Sequence, residues 1–350
     1  MKKKNIEKKV TWKVLALSVL SVLGASLLIV AVLLYGFGKR GTFIDKISNY
    51  LPYPAAMIEW GSFVAIGDVN SDLTSIKKFY ESQNFSDVGL RVDFATEDGQ
   101  KRLRVKEKNL LNKLIENKII EKIARSKGIV ITKEMASQNV QREVEQYGNG
   151  SEVEKNLANL YNWNMDDFKE KIVKPDMYRD ELDKNRKATD ESFVEAKERI
   201  LQVQKELNDK GEFAEVAKKY SEGESAKNGG DLGWFTADQM MPEIAMSVFM
   251  MKEGERSDVV ESSIGFHIIQ IDDRKTEDGI DKIKVRQILI RAKSFSDWLL
   301  EQEKNMRVRV FLKDYYWNND MAVVEFKDQA MQDFENDLER NSSGDASVLF

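Results

Sequence analysis

The chain has 350 residues, which at usual domain sizes allows about two domains. It has no cysteine and one histidine, so disulfides, thiolate zinc sites, thiol nucleophiles and histidine-rich metal sites are excluded together. A formal net charge of −5 argues against general binding to nucleic-acid phosphates.

Residues 1–13 carry Lys2, Lys3, Lys4, Lys8, Lys9 and Lys13 against one acid, Glu7. Residues 14–35 follow without a charge. At helical rise, such a run crosses a hydrocarbon core of about 30 Å. The lysines should stay cytoplasmic, which puts the bulk of the chain outside. The expectation is a basic cytoplasmic tail over 1–13 and an uncleaved, single-pass membrane helix over 14–35. A cleaved signal peptide is the competing reading; its apolar core would be shorter, and no clear A-x-A site follows.

Residues 36–60, with Pro52 and Pro54, read as a linker, and Ser62–Asp68 as a short strand. From Leu73 to Arg186 the pattern is mainly helical, giving an expected all-α domain over 61–186. Leu111, Ile115, Ile119 and Ile123 recur on one helical face. Gly128 suits the end of that helix and Thr132 the cap of the next. Asn164 can cap another, in which Pro175 should cause a kink or break. Glu191–Lys210 is amphipathic through Ala196, Ile200, Val203 and Leu207. A shorter helix follows with Phe213, Val216, Ala217 and Tyr220.

The stretch 229–271 reads GGDLGWFTADQMMPEIAMSVFMMKEGERSDVVESSIGFHIIQI. A Gly-Gly turn leads into a strand at Asp231–Phe235. Pro242 starts a helix, and Ile264–Asp272 is a strand holding the only histidine, His267. Beyond it, Lys284–Arg291 reads KVRQILIR, a further strand. Phe295–Glu303 is helical, Val308, Val310 and Leu312 alternate, and 319–350 forms an acidic helix and tail.

GGDLGWF, QM-x-PE, a helix ending in KEGE, and GFHII together resemble the parvulin-type peptidyl-prolyl cis/trans isomerases. The resemblance implies an α+β domain, an antiparallel sheet with helices, placed here at 187–318. Parvulins open with a strand bearing a His-Ile-Leu motif. The residues before the first helix, ELDKNRKATDES, are too polar for a buried strand. KVRQILIR carries the pattern instead, with Gln287 at the histidine position. The expectation is a circularly permuted domain whose first strand is 283–291. A truncated second copy or an extra edge strand are the alternatives.

By resemblance, the catalytic set is His267, Ser262 and Gln287, and the proline-ring cup is Leu232, Phe235, Met240 and Ile244. Each apolar residue could equally be core. Gly223 falls at or near the place where parvulins carry Asp or Cys, and Glu222 or Glu224 could stand in. Over 109–184 the helices resemble the N-terminal chaperone region of SurA- and PrsA-type foldases; a plain helical spacer is the other reading. The implied function is a membrane-anchored extracytoplasmic foldase acting on X-Pro bonds of unfolded or newly exported polypeptides. A holdase with an inactive parvulin domain is the alternative, and an envelope scaffold a third reading. No cofactor, metal or nucleic-acid partner is implied.

Overall fold

The computed structural model describes residues 21, 25–36, 47–48, 51–82, 93–147, 150–209 and 211–341. The chain divides into two compact units, Met1–Arg179 with Glu303–Phe350, and Asp180–Gln302. The expected tail over 1–13 and residues 14–20 and 22–24 of the expected membrane helix over 14–35 lie outside the described residues. Among the described residues no helix is long and apolar enough to cross a membrane.

The first unit begins with strands β1 (Pro54–Ile58) and β2 (Ser62–Ala65). Helices α1 (Ile66–Ser82), α2 (Glu97–Ser126), α3 (Lys133–Tyr147) and α4 (Gly150–Asn156) follow. Thr96 caps α2 by accepting from the Gly99 N–H at 3.0 Å, with Glu97 and Asp98 favourably placed in the first turn. Leu111, Ile115 and Ile119 are fully buried along α2. Gly128 ends it at φ 80°.

Asn164 and Asp167 form a reciprocal capping box for α5 (Met165–Phe168). A π-helical turn, Lys169–Val173, then joins α5 to α6 (Lys174–Thr189). That wider turn accommodates Pro175 and its missing N–H without ending the helix.

In the second unit, α7 (Glu191–Asn208) and α8 (Phe213–Tyr220) precede β3 (Asp231–Phe235). Then come α9 (Pro242–Val248), β4 (Val260–Ser262), β5 (Gly265–Glu277), β6 (Ile280–Arg291) and α10 (Phe295–Lys304). The sheet order is β3-β6-β5-β4, all neighbours antiparallel. Strand β6, late in the chain, therefore lies centrally between β3 and β5. Alternation sends Phe266, Ile268, Ile288 and Ile290 to one face, against α7 and α8. Ile269, Ile271, Ile283 and Val285 go to the other, against α9.

The chain then returns to the first unit as β7 (Val308–Val310), β8 (Tyr315–Asn318), β9 (Val323–Phe326) and α11 (Gln329–Asn341). Strand β7 pairs with β1, giving the order β2-β1-β7, and β8 pairs with β9. The returning segment fastens onto α2. The Tyr315 hydroxyl donates to Glu107 at 2.9 Å, the Val324 N–H donates to Asn112 at 2.6 Å, and Lys108 pairs with Glu335 at 2.6 Å.

Three expectations change. The first unit is not all-α, because the apolar run PAAMI buries Ala55, Ala56 and Ile58 and pairs with β2 on one side and β7 on the other. For the same reason the linker over 36–60 gives way to a strand at Pro54. The second unit ends at Gln302 rather than 318, since β7 joins β1 and not the four-stranded sheet.

Ile288 is fully buried in the middle of β6. Ile288→Ala should cost about 2–5 kcal/mol, read from urea unfolding of the second unit. In the first unit, burial pushes the Glu303 carboxyl up to about 7, helped by Glu116 and opposed by Arg179. The folded form thus holds this proton more tightly than the unfolded form. The resulting stability is present below the ordinary carboxylate value and is lost as pH rises through about 7. Glu303→Gln should raise the unfolding midpoint relative to wild type above that pH and leave it unchanged in acid.

Candidate functional site

His267 lies on β5, opposite Leu289, and Gln287 lies opposite Ile269. Residues two apart on a strand share a face, so the His267 and Gln287 side chains emerge on the same face, on a diagonal. Diagonal neighbours are about 7–8 Å apart at the backbone, within reach of a long side chain. Ser262 ends β4 and faces β5 across a tight reversal, where Ser262 pairs with Gly265. Its Oγ lies 2.6 Å from His267 Nε2 and also accepts from the Ile264 N–H at 3.2 Å. The structure thus brings His267, Ser262 and Gln287 together.

The His267 ring is fully buried, and its Nδ1 has no hydrogen-bond partner. Burial pushes the imidazole below its ordinary value, against upward pulls from the Gln287 amide and the Glu243 carboxylate. The ring is accordingly neutral near pH 7, with one nitrogen engaged by Ser262 and the other buried on the side of Gln287.

The apolar side of the site is built on the same face. Ile244 is buried in the cluster with Val248, Ile269 and Val285, and Phe235 and Met240 pack against it half-buried. Leu232 stands apart. A bulge between Asp231 and Gly233 leaves it 38% exposed and outside that cluster. Met241, Phe249 and Met251 also pack on the cluster, though sequence reasoning did not select them. Met-rich composition was the available signal, since five methionines fall between 240 and 251. Glu243 was missed too; it follows Pro242 at the start of α9 and accepts from the Ser263 N–H at 3.3 Å.

Gly230 positions the loop. It has φ 84°, and a Cβ there would meet the Gln287 carbonyl at 2.5 Å, so only glycine lets the turn lie against β6. The Gln287 N–H donates to the Gly230 carbonyl at 2.9 Å across that approach. Of the two candidate stand-in carboxylates, Glu222 is committed elsewhere. Glu222 is engaged by the Arg291 N–H and the Arg199 guanidinium, and Glu224 opens a short 3₁₀ turn, Glu224–Asn228. Among the described residues no cluster of carboxylates or imidazole could hold a metal ion.

Residues 180–273 match the family described as Rotamase: PPIC-type PPIASE domain. The match closes before β6, which carries Gln287. Chaperone SurA of Methylobacillus flagellatus is 35% identical over 131 residues, 36% of this chain and 30% of that protein. Foldase protein PrsA of Oceanobacillus iheyensis is 40% identical over 94 residues, 26% of this chain and 31% of that protein. The matched region spans about a third of the length of these curated relatives. Among solved structures, peptidylprolyl isomerase PrsA from Bacillus cereus is 20% identical, covering 71% of this chain and 89% of that one, at a TM-score of 0.21. A score that low carries no argument about arrangement.

Because the folded imidazole is harder to protonate than the unfolded one, His267 costs stability as pH falls below its ordinary value, and none above it. The urea midpoint of wild type should therefore fall more steeply between neutral and mildly acidic pH than that of His267→Gln. Parallel pH profiles of the two proteins would contradict this account.

Proposed function

From the segment 180–273, which belongs to the PPIC-type, or parvulin, isomerase family, we propose that the chain is a foldase that isomerises X-Pro peptide bonds in unfolded polypeptides. The observation that carries this reading is the shared face of the sheet: His267, Ser262 and Gln287 beside the apolar cluster of Ile244, Phe235 and Met240.

Rotation about an X-Pro bond is opposed by amide resonance, about 18–20 kcal/mol for peptide bonds in general. No bond is made or broken, so a catalyst has only to prefer the twisted amide over both planar forms. A twisted amide is less dipolar than a planar one, so an apolar wall favours it. In this reading Met240, Phe235 and Ile244 receive the proline ring, with Leu232 at the rim. The neutral His267 ring, held by Ser262, and the Gln287 amide supply fixed polar groups beside the rotating carbonyl. Strand β6 stands in for the opening strand of a permuted parvulin domain. The first unit, by its likeness to SurA and PrsA foldases, binds extended client segments. The uncharged run 14–35 behind its lysine cluster supports an extracytoplasmic, membrane-anchored placement.

Gln287 in place of an imidazole, and Gly223 in the adjoining loop, favour a second reading, a holdase whose parvulin domain is inactive. Exchange NMR on proline peptides separates the two. Wild type should accelerate exchange, and His267→Ala should lose at least about tenfold in kcat/KM, roughly 1.4 kcal/mol. If neither protein accelerates exchange while both suppress aggregation of an unfolded client, the holdase reading stands instead. For placement, the full chain should resist carbonate extraction from membranes, with residues after 40 open to protease added from outside; release by carbonate would overturn the anchor.

A further inference from the structure

The three-stranded sheet of the first unit, β2-β1-β7, has two unlike faces. Ala56, Ile58 and Val64 turn to one side and are buried. Their neighbours along the strands turn to the other. There Phe63 of β2, Met57 of β1 and Arg309 of β7 stand side by side in register. Phe63 is 39% exposed, and Trp60, in the turn between β1 and β2, is 90% exposed. The Glu59 N–H donates to the Arg307 carbonyl at 2.8 Å, which carries the β1–β7 ladder up to that turn. A cavity of about 520 Å³ opens here, lined by Met57, Glu59, Trp60, Arg307, Arg309 and Phe311. Glu59 is paired with Lys122 at 3.6 Å. Arg307 and Arg309 are exposed, and among the described residues neither has an ion pair. The cavity thus sets large apolar side chains beside guanidinium groups that lack a protein counter-charge.

The same corner of the sheet adjoins the uncharged run 14–35. Tyr35, the last residue of that run, has its ring 6.0 Å from that of Phe311, and its hydroxyl donates to the Pro54 carbonyl at 3.0 Å. From the sheet side, the Tyr53 hydroxyl donates to the Leu27 carbonyl at 3.0 Å. With the run across a bilayer, these contacts bring the cavity to headgroup level, where tyrosine and tryptophan concentrate.

We propose that this face rests on the bilayer, with the phosphate of an anionic phospholipid held by Arg307 and Arg309 and the Trp60 ring beside the first acyl carbons. The planar donors of a guanidinium match phosphate oxygens. Trp60 combines an apolar body with one N–H, which suits it to a depth that is half wet. The assignment rests on the membrane-anchored placement proposed above. It adds an orientation, in which the first unit lies against the membrane and is not free on a tether.

The test uses the full chain in liposomes whose acyl chains are brominated just below the headgroup, which quenches tryptophan at that depth. The difference between wild type and Trp60→Phe isolates Trp60 from the other tryptophans, and its exposure makes that substitution safe for folding. In phosphatidylglycerol the Trp60 signal should be quenched. In phosphatidylcholine, or in strong salt, the quenching should weaken, because the attraction of charges at a surface is screened. Arg307→Gln combined with Arg309→Gln should lower the ratio of docked to undocked protein about thirtyfold, roughly 1 kcal/mol per arginine. Equal quenching of wild type and Trp60→Phe overturns the assignment and leaves the anchor standing. So does a Trp60 signal indifferent to headgroup charge and to the arginine pair. Shielding of Trp60 from aqueous acrylamide without quenching by the lipid would mean that protein covers the face, and overturns it as well. A chain released from membranes by carbonate overturns both the assignment and the anchor.

Discussion

The antiparallel ladder between β5 and β6 runs from Gly265 opposite Arg291 to Glu277 opposite Ile280. It is the constraint on which the second unit depends. Its register decides which side chains meet α7 and α8, and which meet α9. A slip of one residue would move Ile268 and Ile288 off one core and carry His267 to the opposite face. The same register sets Gln287 diagonally from His267, so packing and site geometry are one condition. Strand β3 relies on it as well, because among the described residues its sheet neighbour is β6 alone.

Polar chemistry at the site is sparse and held by the backbone. One imidazole is buried, with a serine hydroxyl on Nε2 and an unengaged Nδ1. The loop glutamate is committed to the end of β6 and to Arg199 rather than to the ring. Burial keeps the imidazole uncharged near neutrality, which suits a reaction in which no proton is transferred. The apolar wall beside it includes methionine side chains, which are flexible and fill irregular gaps.

Local signals carried much of this architecture. Asp231–Phe235 as a strand, Pro242 at a helix start, and Phe213–Tyr220 as a helix all follow from short-range turn, cap and periodicity cues. The face of α2 was visible because Leu111, Ile115 and Ile119 repeat with helical spacing. The hidden features are long-range. PAAMI has no alternation to mark it as a strand; its hairpin partner β2 is close in sequence, but β7, which pairs with its other edge, lies some 250 residues later. The exposure of Leu232 follows from a bulge, which a regular two-residue alternation does not anticipate. Closeness of Ser262 to His267 was readable because five residues and a tight reversal separate them. Glu243 was not, because it reaches the site from a helix whose placement depends on the folded sheet.

The central position of β6 also imposes an order of assembly. A polypeptide emerging from its amino end presents β3, β4 and β5 while the strand that belongs between β3 and β5 is still unmade. Until residue 291 has followed, β3 has no neighbour in the sheet and one edge of β5 lies open. The first unit waits longer still, since β7 and the segment that clasps α2 come after residue 303. Both units therefore close late and nearly together, through contacts of large sequence separation, which makes their maturation slow and leaves the nascent chain exposed to misassembly.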